Sequence, residues 1–144
     1  MKYIPILSMI LIAGFSACTK NSNTVPAPPA VLDNGDTAIS NLKYSGMFES
    51  TTGKLVTGNS NIFLNNSKYT LVLDDMFTTS SGPDLHVYLS MGRVPDVFID
   101  LGKLRANSGE QAYDIPGMPD FSAYTHVLIH CVQYNHIFGI SELK

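Results

Sequence analysis

No Cys-x-x-Cys, Cys-x-x-Cys-His, His-Glu-x-x-His, Gly-x-Ser-x-Gly or phosphate-loop pattern occurs anywhere in the chain. The residues needed for thioredoxin-type exchange, covalent c-type haem, zincin, serine-hydrolase and nucleotide chemistry are therefore missing. Cysteine itself is scarce, with two in 144 residues. Basic charge is scarce too: nine Lys and Arg stand against twelve Asp and Glu, giving a net charge of −3 with no Lys/Arg cluster. Phosphate finds no electrostatic footprint on such a chain, and nucleic acid is excluded as an expected partner. Outside the N-terminal apolar stretch, no long window keeps a 3.6-residue repeat. Without that period there is no amphipathic helix to build a helical fold.

What is present is enough for one packed domain. The chain is 44% hydrophobic and 15% charged, and its 144 residues are long for a peptide and short for two cores. Strand-forming residues run in short blocks between Gly, Asn, Ser and Pro clusters. That spacing predicts an all-β fold, a single antiparallel β-sandwich or barrel-like domain of about eight to ten short strands.

The N-terminus reads as a secretory leader. Lys2 precedes an apolar run from Ile4 to Phe15, followed by Ser16, Ala17 and Cys18. The run is too short for a permanent bilayer span of about 20 residues. Phe15-Ser16-Ala17-Cys18 resembles a bacterial lipobox, in which cleavage before the cysteine leaves it lipidated on sulfur and amine. The expectation is a signal peptide over residues 1–17, a lipid anchor at Cys18 and a tether over 18–39, leaving the domain at 40–144. An ordinary leader cleaved near Ala17 is the alternative, with Cys18 left as a thiol. Several acyl chains, each CH₂ contributing about 0.8 kcal/mol on burial, would make the anchoring stable. The protein is thus expected outside the cytoplasm, held on a membrane of the bacterial cell envelope through lipidated Cys18. The tether is polar and rich in proline, with Pro26, Pro28 and Pro29, which suits an extended spacer. Val31 and Leu32 could instead dock on the domain as an edge segment.

Within the domain, strands are expected at residues 43–49, 54–57, 60–64 and 68–73. Asn65, Asn66 and Ser67 form a short hairpin loop, because Asn tolerates the left-handed conformation such loops need. After a polar loop, Ser81-Gly82-Pro83 punctuates the chain and residues 84–90 alternate cleanly. Leu85, Val87 and Leu89 belong to the core, while Asp84, His86, Tyr88 and Ser90 share the other face. Further strands are expected at 97–104, 111–115, 125–133 and 135–140, with a single turn around 120–124.

These residues carry a family resemblance. Gly46-x-Phe48, the run from Ser81 through Gly82-Pro83-Asp84-Leu85-His86 to Ser90, Leu101-Gly102-x-Leu104, Gly109-x-Gln111-x-Tyr113-x-Ile115-Pro116, Val127-x-Ile129-His130-Cys131 and Phe138-Gly139 together resemble the DM-thirteen electron-transfer domain. The similarity spans roughly residues 43–143. It implies an all-β extracytoplasmic domain assigned to redox through one cysteine, acting as a bare thiol or as ligand to a prosthetic group such as haem. Cys131 matches that cysteine by its place in the motif. The family often has an aromatic, commonly Trp, just before it; His130 stands here and adds a possible ligand or base.

The chemistry therefore centres on Cys131, with His130 and His86 as candidate cofactor ligands. If Cys18 carries lipid, Cys131 has no intramolecular partner. Three roles stay open for it: a small buried core residue, a redox thiol or prosthetic-group ligand, and an intermolecular disulfide. In an unbroken strand it shares a face with Val127 and Ile129, which looks like core. His126 and His130 lie on the other face about 13 Å apart at ~3.3 Å per residue, too far to hold one metal together. No metal site is expected, although haem or copper is possible at the cysteine and a copper carrier using His, Cys and Met is a third reading. His86 faces solvent or a cross-strand hydrogen bond, and Gly82, Pro83 and Asp84 shape the turn into its strand. Asp74-Asp75 and Asp96 with Asp100 lack the spacing of a calcium loop and read as solvated charges. Two functions remain: an accessory redox module working with an envelope partner protein, or a non-catalytic envelope binding or structural module in which Cys131 only packs. A stand-alone enzyme is not expected.

Overall fold

The computed structural model describes residues 41–144. The expected leader, Cys18 and the tether with Val31 and Leu32 lie outside the described residues. Ten strands follow in chain order: β1 (Leu42–Ser50), β2 (Val56–Thr57), β3 (Asn59–Asn65), β4 (Lys68–Leu73), β5 (Thr78–Thr79), β6 (Leu85–Ser90), β7 (Phe98–Lys103), β8 (Gln111–Asp114), β9 (His126–Cys131) and β10 (His136–Glu142). Eight form one sheet in the order β7-β6-β9-β10-β1-β3-β4-β8, and β2 pairs with β5 in a second, two-stranded sheet. All pairings are antiparallel. The long sheet curls until its edges meet: just after β7, the amide of Arg105 donates to Tyr113 Oη of β8 at 3.2 Å. The all-β, barrel-like expectation holds.

Local sequence explains most of the strands. Asn66 and Ser67 both take positive φ, 47° and 60°, between paired Asn65 and Lys68. This is the two-residue loop whose twist suits a hairpin. The clean alternation of β6 puts Leu85, Val87 and Leu89 in the main core, with Ile62, Leu71, Leu73, Phe77, Tyr113, Val127 and Ile129. The turn at 120–124 also forms, with the amides of Ala123 and Tyr124 donating to Asp120 O. β5 was not expected; two threonines in a polar stretch carry no period, and only pairing with β2 makes them a strand.

The outer face differs from a solvated one. Tyr88 and Ser90 lie there, opposite the main core, yet are 4% and 0% exposed. Tyr88, Leu128 and Ile140 form a second small cluster, flanked by Ile137. The loop 91–97 folds over this face: Ser90 Oγ donates to Val94 O at 3.1 Å, and Arg93 reaches Glu49 of β1 at 2.7 Å. Phe98 stacks on Tyr88 with ring centroids 4.2 Å apart.

Strand directions define two ends. β1 starts at Leu42 and ends where Ser50 pairs with Gly139; β9 ends at Cys131, opposite Leu85 at the start of β6 and His136 at the start of β10. Cys131 therefore sits at the end of the barrel away from Leu42, here called the mouth.

Candidate functional site

β9 runs in register with β6 from His126 to Cys131 without a bulge. Alternation then separates its side chains: Val127, Ile129 and Cys131 face inward, Leu128 and His130 outward. Cys131 is 0% exposed and packs in the main core beside Leu85 and Phe138 in the same cluster. It is a free thiol. A bulge in β10 between Ile137 and Gly139 inserts Phe138 as an extra residue. That residue is 3% exposed and inward, so the ring joins Cys131 rather than His130. Gly139 permits this packing, since a Cβ there would lie 2.7 Å from Val56.

Above this layer the mouth opens into a cleft of about 540 Å³, lined by residues 52–54, residues 81–83, Tyr134, His136 and Phe138. Gly82 and Pro83, expected as turn residues, form one wall. A Cβ on Gly82 would lie 2.7 Å from Leu85 Cδ2 and 3.0 Å from Phe138 Cζ, so the backbone passes directly against the ring. Thr51 fastens the opposite wall: its amide donates to Phe138 O at 3.0 Å, and its hydroxyl reaches Ile137 O and Phe138 O. Lys54 Nζ stands 4.4 Å from the Phe138 ring centroid, and His136 meets the same ring edge-on at 5.8 Å.

The histidine sites lie on the other side of the sheet. His86 and His130 are cross-strand partners facing outward. His86 Nδ1 lies 2.9 Å from Asp100 Oδ2, and its Nε2 is 3.5 Å from Asp84 Oδ1. This is the cross-strand bond expected for His86. A bulge in β7 at Leu101-Gly102, with Gly102 at φ 109°, brings Asp100 into position, and the Gly102 amide donates to its Oδ1 at 2.8 Å. Asp84 pairs with Lys103 Nζ at 2.8 Å. That ammonium holds the Asp84 carboxyl below the usual carboxylate range and is itself held above the usual lysine value. The carboxylate was expected to accept backbone N–H bonds and fix the turn; it pairs with Lys103 instead, while Asp84 O accepts from the Val132 amide at 2.9 Å and extends the β6–β9 pairing by one rung.

His130 is 5% exposed and stacks on Tyr88, with centroids 5.0 Å apart. Its Nε2 donates to Asn135 Oδ1 at 3.1 Å, while Nδ1 is buried with no partner among the described residues. Burial pushes its pKa down, partly opposed by the Asn135 bond. Burial raises the Tyr88 phenol, and the negative charges of Asp100 and Asp84 add to the rise. His126, near the other end of β9, bonds Thr125 Oγ1 at 2.9 Å and takes no part in either cluster.

Cys131 and the two candidate histidine ligands thus occupy opposite sides of one sheet, and sulfur and imidazoles do not converge on a common ion. No three His, Cys, Asp or Glu side chains group to hold a metal among the described residues. With its sulfur enclosed by apolar neighbours, Cys131 does not fit a haem or copper ligand in this conformation, and no chemistry is routed through such a group. Sequence reasoning singled out the thiol, the turn and both histidines. It did not single out Lys54, which meets Phe138 only when distant turns come together, nor Tyr134 and Asn135, which lie in the β9–β10 turn itself.

Fold and site together define a small antiparallel barrel with one enclosed thiol at its mouth and a buried histidine–tyrosine cluster outside. The family model described as electron transfer DM13 matches residues 47–143, and the chain belongs to that family. The resemblance seen in the sequence motifs is thereby established over residues 47–143. Neither a curated protein nor a solved structure matches the chain.

Proposed function

We propose that this electron-transfer domain is carried on a lipid-anchored protein of the bacterial cell envelope and that Cys131 is its redox group. One observation supports the assignment to Cys131: the cysteine singled out by the motif resemblance lies at the mouth end of β9, in the core layer that includes Leu85 and Phe138, below the open cleft. Exchange with a partner protein then requires the mouth to open locally, since a fully enclosed thiol meets no reagent. β1 begins at Leu42, at the end of the barrel opposite the mouth, so a tether leading into β1 would leave the mouth unobstructed for a partner.

The test compares the purified chain with Cys131→Ala by redox titration and by maleimide labelling under native conditions. A thiol-dependent redox wave that vanishes in the variant, with labelling faster than global unfolding, is the expected result. An identical redox response in both proteins would overturn it. Cys18→Ala should abolish acylation and release the protein from the membrane fraction; retention on the membrane would sink the anchor.

A second reading, an envelope binding module in which Cys131 only packs, is favoured by the complete burial of the sulfur. Labelling that proceeds only as fast as global unfolding would decide for it.

A further inference from the structure

We propose that the mouth cleft is a binding site for a planar aromatic ligand bearing an anionic group. The inference stands apart from the redox role of Cys131 and holds whether or not that thiol turns over. At about 540 Å³ the cleft has room for a two-ring ligand, which would lie across an open mouth with one face in solvent.

Charge selects the anion. No carboxylate lines the cleft, whereas Lys54 does, and its ammonium has no ion-pair partner among the described residues. The Phe138 ring holds that ammonium in the cleft by a cation–π contact at 4.4 Å, leaving its outer side to an anion. Lys68 and Lys103 are each paired with an aspartate at 2.8 Å, and Lys43 and Lys144 are, like Lys54, in no ion pair among the described residues; Lys54 differs from all four in lining the cleft.

Shape selects the aromatic. Tyr134 stands at the tip of the β9–β10 turn, 68% exposed and without a ring partner among the described residues. What distinguishes Tyr134 from the other exposed apolar side chains is that it lines the cleft, where its free face can stack on a planar ring. His136 supplies a second ring edge and a nitrogen. The walls are tied in place beforehand: Thr51 is bonded to β10, and Gly82 lies against the Phe138 ring. A preorganised site loses less freedom when a ligand arrives.

The test titrates naphthalene-2-sulfonate into the ¹⁵N-labelled purified chain, with 2-naphthol and methanesulfonate as probes lacking the charge or the ring. Saturable shifts at the amides of Gly53, Gly82 and His136 are expected with the aryl sulfonate. Affinity for 2-naphthol should be about tenfold weaker, and methanesulfonate should not saturate. Lys54→Met should weaken the sulfonate about tenfold without changing 2-naphthol, and Tyr134→Ala should weaken both aryl probes. Lys68→Met, on the β3–β4 hairpin, should change neither, and the amide spectra report directly that each variant is folded. Absence of saturable shifts at the mouth, or unaltered sulfonate affinity in Lys54→Met, would overturn the proposal.

Discussion

The two faces of β9 are both buried and chemically unlike. Inward, Val127, Ile129 and Cys131 join a large apolar core; outward, Leu128 and His130 lie in a thin layer with Tyr88, Ile140 and Phe98. The inner layer is closed by the curl of the sheet itself. The outer layer is closed by one loop and a few rings, with charges from Asp84, Asp100 and Lys103 at its margin. Burial alone therefore does not describe the environment of a side chain; what closes over it sets how it responds to truncation and to protons.

The largest expected effect tests that contrast directly. Ile129→Ala should cost about 2–5 kcal/mol, since its neighbours are fixed on all sides and cannot collapse into the space. Leu128→Ala removes a side chain just as buried, at 0% exposure, but loop 91–97 can settle inward, and its cost should fall near ~2 kcal/mol. Urea unfolding measures both. Equal losses would mean that the outer layer is a second core as rigid as the first.

Cys131 sharpens the comparison at a smaller scale. Cys131→Ser places a hydroxyl among apolar side chains and should cost about 1–3 kcal/mol, whereas Cys131→Ala should cost less. A serine as stable as alanine would show that a polar group or water lies within reach of the sulfur and that the mouth is wetter than its packing indicates. Alanine is for this reason the better replacement in redox work.

How far the sequence discloses this arrangement depends on how local the cause is. The 65–68 hairpin and the alternation of β6 are written in neighbouring residues, and so is the inward direction of Cys131. The pairing of His86 with Asp100 is not, because it needs the extra residue of the bulge at Gly102. Burial of Tyr88, Ser90 and His130 is not either: an alternating strand announces two faces, but loop 91–97 at Ser90, the Phe98 ring on Tyr88, and Tyr88 with Asn135 at His130 decide that the second is covered. The mouth is the least legible part, since residues 52–54, 81–83 and 134–138 meet only after the sheet has curled. Its one sequence sign is Gly82, whose small size is required by Leu85, three residues on, and by the Phe138 ring.

The smallest expected effect concerns protons on the outer face. His130 is held neutral by burial, with its pKa below the ordinary 6.5, while in the unfolded chain it titrates near that value. As pH falls through 6.5 the unfolded state binds a proton that the folded state does not, so stability declines with acidification. The decline continues until the lowered folded value is reached, where both states are protonated and the slope vanishes. His126 is lowered by burial as well and adds to the same slope. His130→Phe keeps a ring against Tyr88 and removes the titrating nitrogen, so the fall in Tm from pH 7.5 to pH 5 should become shallower than in the wild type, with His126 responsible for part of what remains. The exchange also discards the unpartnered Nδ1 and the Asn135 bond together. Their effects on stability at pH 7.5 oppose one another, which leaves the change in slope as the diagnostic quantity. A profile as steep as the wild type's would mean that His130 is solvated in solution and that Tyr88 and the Asn135 turn cover it only transiently.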